Sequence, residues 1–218
     1  GHTRYSTTGS SSKKNIQPFW VTHKGKPIAI AHNGNLTNTQ ILHRRLEEEG
    51  SLFQTTMDSE IIVHLLAKAK NGNIKEWFED VLSQLQGAFS LVFLAGDTLV
   101  GARDSHGFRP LCLGQIEGAY VLASETCALD LIHARFLREI EPGEIVFIKG
   151  TKLESRYMPR PPDKSQCIFE NIYFSRPDSV IFGDTVYEVR KRLGAKLAQE
   201  HPVKKADLVM AIPDSGNY

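Results

Sequence analysis

The stretch GAFSLVFLAGDTLVGAR, Gly87 to Arg103, decides how the rest of the chain is read. Two apolar runs, AFSLVFL and TLVGAR, are separated by the turn signal Gly96-Asp97, as expected of short consecutive strands. The same pattern continues in RPLCLG, AYVLAS and EIVFI, punctuated by Glu117-Gly118 and Pro142-Gly143. Several of these runs are continuously apolar, which is expected of sheets covered on both faces.

Upstream of Gly87 the periodicity is helical. Thr37 and Gln40 form a capping box, with Leu36 and Ile41 at the staple positions, predicting a helix from about Asn38 until Gly50 ends it. A second helix is predicted over roughly Ser59 to Lys70, and a third carries Trp77, Phe78, Val81, Leu82 and Leu85 on one face. Before them PIAIAH, Pro27 to His32, reads as a strand. Helices first and strands afterwards point to antiparallel sheets packed together and flanked by helices. Around Arg156 to Ser165, MPRPPDKS reads as a Pro-rich linker. Beyond it lie CIFENIYFSRPDS, a helix from about Thr185 to Gln199 capped by Asp184, and a strand DLVMAI, the way a new α/β domain opens. No internal repeat or low-complexity tract is present.

Composition narrows the class. Of the 218 residues 23% are charged, nearly balanced at a formal +1, which argues against a nucleic-acid stripe, a polybasic tail or disorder and favours small-molecule partners. No apolar run approaches a membrane span. The three cysteines, Cys112, Cys127 and Cys167, are widely spaced without a CxxC pair, which fits a reducing compartment, the cytoplasm by default. The chain opens at Gly1 in GHTRYSTTG and closes in MAIPDSGNY, and it reads as a fragment cut at both ends.

Three polar signals cluster in the first 60 residues. Asn33-Gly34, in AHNGNL, is either a tight turn or a side-chain amide beside an unhindered backbone N–H, the donor pair an oxyanion needs. Arg4 is either a surface arginine or a fork for a carboxylate. Asp58 is either an N-cap or an anion available to a cation. Together they would suit an amino acid with an amide side chain. The eight histidines form no HxxxH or HxH, and neither GxxxxGK[ST] nor GxGxxG occurs, so a zinc hydrolase and the common nucleotide loops are not indicated.

In order and spacing, GHTRYSTTG, NIQPF, HNGNL and TTMDSE resemble the class II glutamine amidotransferases, members of the N-terminal nucleophile hydrolases. GAFSLV, RDSHGFRPL, ASETCALD and EPGEIV resemble the branch whose glutaminase half is joined to a phosphoribosyltransferase half, and FENIYFSRPDS and IPDSG resemble the start of that second half. The resemblance implies an α+β fold: an αββα four-layer sandwich over residues 1–160, then, over residues 166–218, the beginning of an α/β type I phosphoribosyltransferase domain. It implies an enzyme in which Asn33 and Gly34 form the oxyanion hole, Arg4 with Thr7 holds the α-carboxylate of glutamine, and Asp58 holds its α-ammonium. The liberated ammonia would displace pyrophosphate from phosphoribosylpyrophosphate to give 5-phosphoribosylamine, the opening step of purine synthesis. Asp214, Ser215 and Gly216 would contact the pyrophosphate or ribose phosphate, against the alternative of a plain surface turn.

The family attacks with an N-terminal cysteine. Residue 1 here is Gly, so the nucleophile is expected upstream, and residues 1–218 alone are expected to catalyse neither half-reaction. Cys112 and Cys127 are expected to be buried. Cys167 matches the first ligand of a [4Fe–4S] cluster found in some members, or is a structural cysteine. Mg²⁺ is implied for the phosphoribosyl substrate at a site outside this chain, and a homo-oligomer is implied. The alternatives are another class II amidotransferase and a non-catalytic glutamine-binding module.

Overall fold

The computed structural model describes residues 1–3, 13–23, 25–69, 72–159, 163–213 and 215–217. Its centre is a six-stranded antiparallel sheet in the order β1 (Phe19–His23), β2 (Lys26–Leu36), β3 (Gly87–Ala95), β4 (Thr98–Arg103), β8 (Glu144–Lys149) and β9 (Lys152–Tyr157). One face is covered by α1 (Thr39–Glu48), α2 (Asp58–Lys68) and α3 (Ile74–Leu82). Leu42 and Leu46 of α1, Ile62 and Leu66 of α2, and Phe78, Val81 and Leu82 of α3 pack there against Ile30, Leu91, Phe93 and Phe147.

The other face meets a three-stranded sheet ordered β6 (Ala119–Ala123), β5 (Cys112–Ile116), β7 (Arg135–Glu139). Leu111, Leu113, Ile140, Val146 and Ile148 fill the space between the sheets. Gly101 sets that spacing, because a Cβ there would sit 2.7 Å from a methyl of Leu122. A short helix, α4 (Thr126–Leu131), closes the far side through Leu129. The order is therefore helix, sheet, sheet, helix, the expected αββα sandwich. Both sheets are covered twice, which is why several of their strands, such as β3 and β8, read as continuous apolar runs.

The remaining stretch lies against this body. Glu125 Oε2 accepts the Arg176 N–H and the Ser179 hydroxyl, each at 2.8 Å, and the Thr126 hydroxyl accepts the Val180 N–H at 2.8 Å. A π-helical turn (Glu170–Phe174), the hairpin β10–β11 (Val180–Ile181 and Asp184–Thr185) and α5 (Val186–Glu200) follow.

Several expectations are corrected. The strand at PIAIAH continues to Leu36, so Asn33 and Gly34 lie inside β2, opposite Ser90 and Phe89 of β3, and form no turn. The helix after it starts at Thr39 behind Asn38 without a capping box. The Asn38 amide instead bridges to the Gln84 carbonyl at 2.9 Å and the Gln86 N–H at 3.1 Å, fastening α1 to the end of α3. Ile41 is exposed and Leu42 takes the inward position. The capping box is found at α3, between Asn73 and Glu76. Asp58 is the first residue of α2, which begins and ends slightly before the expected range. The anticipated linker is already strand β9 up to Tyr157. Thr185 stands at the N-cap of α5 in place of Asp184, which pairs in β11 and meets Arg192 at 3.1 Å. DLVMAI forms no strand, and Leu208, Val209, Met210 and Ile212 are exposed. A strand needs a neighbour for its ladder of hydrogen bonds, and no described strand lies beside it.

Candidate active site

β1 pairs with β2 only as far as Ile30, so from Ala31 to Leu36 strand β2 has β3 on one side and no described strand on the other. Backbone N–H groups of alternate residues face the same edge of a strand. The His32 N–H donates to Gln17 Oε1 at 2.6 Å, and the Leu36 N–H donates to Asp58 Oδ2 at 3.2 Å. The Gly34 N–H lies in the same row, between two donors that already have acceptors. Gly34 has φ +150°, and a Cβ there would sit 2.0 Å from the Ala88 carbonyl oxygen, so no other residue fits this crossing.

The Asn33 side chain is oriented from outside its strand. Arg109 Nη2 donates to Asn33 Oδ1 at 2.9 Å. A guanidinium offers donors only, so the amide must turn its oxygen to Arg109, leaving Nδ2 as the outward donor. Arg109 itself is held by an ion pair from Nη1 to Glu170 Oε1 at 2.9 Å and by the Phe174 ring, whose centroid lies 4.7 Å from the guanidinium carbon. Burial pushes the Glu170 carboxyl above the usual glutamate range, with Arg109 opposing.

The loop bearing Arg109 is built on two buried charges. Asp104 Oδ1 accepts the His106 N–H at 3.0 Å, and its Oδ2 accepts the Phe89 N–H at 3.2 Å. Arg103, 1% exposed, donates to the carbonyls of Arg109, Ile140 and Gly107 at 2.8, 2.7 and 3.0 Å. Buried charges persist only where their hydrogen-bonding capacity is met, and here it is met largely by backbone groups of the loop and of the neighbouring Phe89 and Ile140.

Asp58 is buried, with His32 Nδ1 at 3.1 Å from Oδ1. Burial raises its pKa, but the His32 hydrogen bond and charge and the N–H groups of Leu36 and Ser59 outweigh it, so the carboxyl ends below the usual aspartate range. It lines a cleft of about 430 Å³ between α1 and the segment leading into α2, together with Gln40, His43, Thr55 and Thr56. Asn15 fastens that segment, donating to the Thr56 hydroxyl at 2.8 Å.

Of the residues expected from sequence, Asn33, Gly34 and Asp58 are joined along one strand edge. Arg4, Thr7 and Asp214 lie outside the described residues. Ser215 and Gly216 stand in a 3₁₀ turn, Ser215–Asn217, where the Gly216 N–H already bonds the Ile212 carbonyl at 3.0 Å. Cys112 and Cys127 are buried as expected, and burial pushes the Cys112 thiol up to about 12 and the Cys127 thiol up as well. Cys167 is half-buried, and among the described residues no three His, Cys, Asp or Glu side chains converge to hold a metal. Sequence reasoning missed Arg109, Glu170, Gln17 and the partnership of His32 with Asp58. The signal for Arg109 was two arginines and an aspartate in RDSHGFRPL between apolar strands, where buried charge requires partners.

The comparisons agree with this architecture. The family model described as glutamine amidotransferase domain matches residues 2–131, and the chain belongs to that family. The likeness extends further, to amidophosphoribosyltransferases. The chain is 50% identical to the chloroplastic amidophosphoribosyltransferase of Glycine max, over 99% of its own length and 38% of that protein's. It is 45% identical to the amidophosphoribosyltransferase of Archaeoglobus fulgidus, over 99% and 48%. The glutamine phosphoribosylpyrophosphate amidotransferase from B. subtilis, solved with ADP and GMP, superposes with a TM-score of 0.92 at 41% identity, covering 99% of this chain and 46% of that one. The chain thus spans less than half the length of these relatives. No described helix is long and apolar enough to cross a membrane.

Proposed function

We propose that this chain supplies the glutaminase part of an amidophosphoribosyltransferase, which hydrolyses glutamine and passes the ammonia to phosphoribosylpyrophosphate, giving 5-phosphoribosylamine, glutamate and pyrophosphate. The observation that carries it is the Arg109 hydrogen bond to Asn33 Oδ1, which leaves the amide N–H outward beside the Gly34 backbone. When a thiolate attacks the glutamine amide carbon, the carbonyl oxygen gains negative charge, and Asn33 Nδ2 and the Gly34 N–H would donate to it. Arg4 and Thr7 would hold the α-carboxylate and Asp58 the α-ammonium. By the resemblance to the N-terminal nucleophile hydrolases the attacking cysteine would lie ahead of Gly1, and the buried thiols of Cys112 and Cys127, pushed up by burial, are poor nucleophiles.

Residues 1–160 would form the glutaminase domain, and residues 166–218 would begin the phosphoribosyltransferase domain, with Ser215 and Gly216 near the phosphates. The family model ends at residue 131 while the similarity to amidophosphoribosyltransferases continues over 99% of the chain, which supports reading the last residues as part of the same kind of protein. Mg²⁺ would accompany the diphosphate, held by groups other than the described residues. Cys167 would be one ligand of a [4Fe–4S] cluster only if about three further thiolates join it. Iron and broad visible absorption in full-length protein purified without oxygen test that assignment. A reducing, cytoplasm-like compartment and a homo-oligomer complete the proposal.

The test is glutamine hydrolysis by the full-length gene product with and without phosphoribosylpyrophosphate, beside an Arg4→Ala variant. Hydrolysis that rises with phosphoribosylpyrophosphate and collapses in the variant is expected. Hydrolysis indifferent to phosphoribosylpyrophosphate would favour another class II amidotransferase. None from folded protein would favour a glutamine-binding module.

A further inference from the structure

The segment that follows β9 runs beside the loop carrying Arg109. The Ser165 N–H donates to the His106 carbonyl at 2.9 Å, and the Cys167 N–H donates to the Phe108 carbonyl at 3.2 Å. The π-helical turn then brings Glu170 and Phe174 onto Arg109. Glu170 is 3% exposed, and its Oε2 is fixed by the Ser175 hydroxyl at 2.9 Å. The three anchors of the Arg109 side chain are thus Asn33 on one side and Glu170 and Phe174 on the other.

We propose that Arg109 is the positioning residue of the oxyanion hole and that Glu170 holds it in place, so the Asn33 donor is set by docking of the segment after β9. This rests on Asn33 being an oxyanion donor. The two ends of a carboxamide are nearly equal in shape, so Asn33 can present either to the reacting oxygen. With Arg109 pinned, Oδ1 is occupied and the N–H faces outward. With Arg109 released, the amide is free to turn its oxygen toward the developing negative charge. Loss of the anchor therefore weakens transition-state stabilisation and leaves glutamine binding intact, because the oxyanion exists only in the transition state.

The experiment measures glutamine hydrolysis by the full-length protein carrying Asn33→Ala, Arg109→Lys, Glu170→Ala, Glu170→Gln or the pair Asn33→Ala/Glu170→Ala. Asn33→Ala is expected to lower kcat by roughly 10²- to 10³-fold. Arg109→Lys and Glu170→Ala are expected to lower it by about tenfold with KM for glutamine within about twofold, and Glu170→Gln to recover part of the loss. The pair is expected to be no slower than Asn33→Ala alone, since both changes remove the same donor. Multiplying losses in the pair would overturn the positioning role, as would unchanged kcat in both Arg109→Lys and Glu170→Ala. If Arg109→Lys does not fold, the Glu170 variants decide. An Asn33→Ala variant of full activity would overturn the oxyanion reading itself, and the positioning role with it.

Discussion

Arg103 and Arg109 stand at the two ends of one loop, and the same side chain does different work in each. Arg103 is sealed in and directs its donors to the backbone carbonyls of Arg109, Ile140 and Gly107, with Glu139 Oε2 at 3.3 Å. Arg109 is partly exposed and directs its donors to side chains, Asn33 and Glu170, with the Phe174 ring on its face. The first arginine fixes where the loop goes. The second uses that fixed position to orient an amide on a distant strand. A planar guanidinium suits both tasks because its donors point in several set directions at once, which a lysine ammonium cannot reproduce.

The contrast breaks if either arginine behaves like the other. Arg103→Met removes the donor to the buried carbonyls of Ile140 and Gly107 and leaves the Arg109 carbonyl to the Ser90 hydroxyl, so it is expected to cost about 3–5 kcal/mol and sharply lower the thermal midpoint of the full-length protein. A midpoint near wild type would mean that water replaces those bonds. Asn33→Ala, at the far end of the Arg109 contact, is expected to remove about 3–4 kcal/mol of transition-state stabilisation with the midpoint unchanged, read from kcat beside a melting curve. A matching fall in stability would make Asn33 a structural residue like those around Arg103.

Two buried glutamates sharpen the same division. Glu144 accepts from Arg138 at 2.7 and 2.6 Å, from the Glu141 N–H at 2.8 Å and from the Ser155 hydroxyl at 2.7 Å. Burial works against its charge, but those donors outweigh it and hold the carboxyl below its ordinary 4.5. The folded state therefore binds this proton less tightly than the unfolded state. Its contribution is complete above pH 4.5 and is lost as pH falls through the lower folded value. Glu144→Gln is expected to cost about 2 kcal/mol at pH 7, with the gap to wild type closing in acid, as a denaturation series across pH would measure.

Glu170 runs the other way. Burial, opposed by Arg109, lifts its carboxyl above 4.5, so its proton-linked stability is present below 4.5 and lost as pH rises through the folded value. Glu170→Gln is therefore expected to leave stability at pH 7 within roughly 0.5 kcal/mol of wild type, or slightly above it, even as kcat falls. A carboxylate that does not stabilise the fold at neutral pH but holds Arg109 belongs with function. A clear loss of stability in this variant would place Glu170 with the scaffold instead.

How far the chain could be read without coordinates depended on the range of the interaction. The hairpin at Gly96-Asp97, the apolar face of α3 and the strands β3, β4, β5, β6 and β8 follow from local period and turn chemistry, which neighbouring residues alone determine. The HNGN pattern, in company with GHTRYSTTG and TTMDSE, pointed to Asn33, Gly34 and Asp58 as candidates. Strand β7 escaped notice because RFLRE is a short polar strand whose partner β5 precedes it across α4. Asn-Gly left two readings open because the same freedom at φ > 0 serves a turn or a crowded strand crossing, and only the Ala88 carbonyl distinguishes them.

By itself, then, the sequence determined the class of layers and the family and singled out candidate residues for the chemistry, because residue type and period are local properties. Only the tertiary structure decided which way those residues point. The orientation of Asn33 depends on Arg109, 76 positions away along the chain, and the seating of Arg109 on Glu170 and Phe174. Such contacts connect parts of the chain that no local pattern relates, and they form only after the sheets and the segment behind β9 have packed.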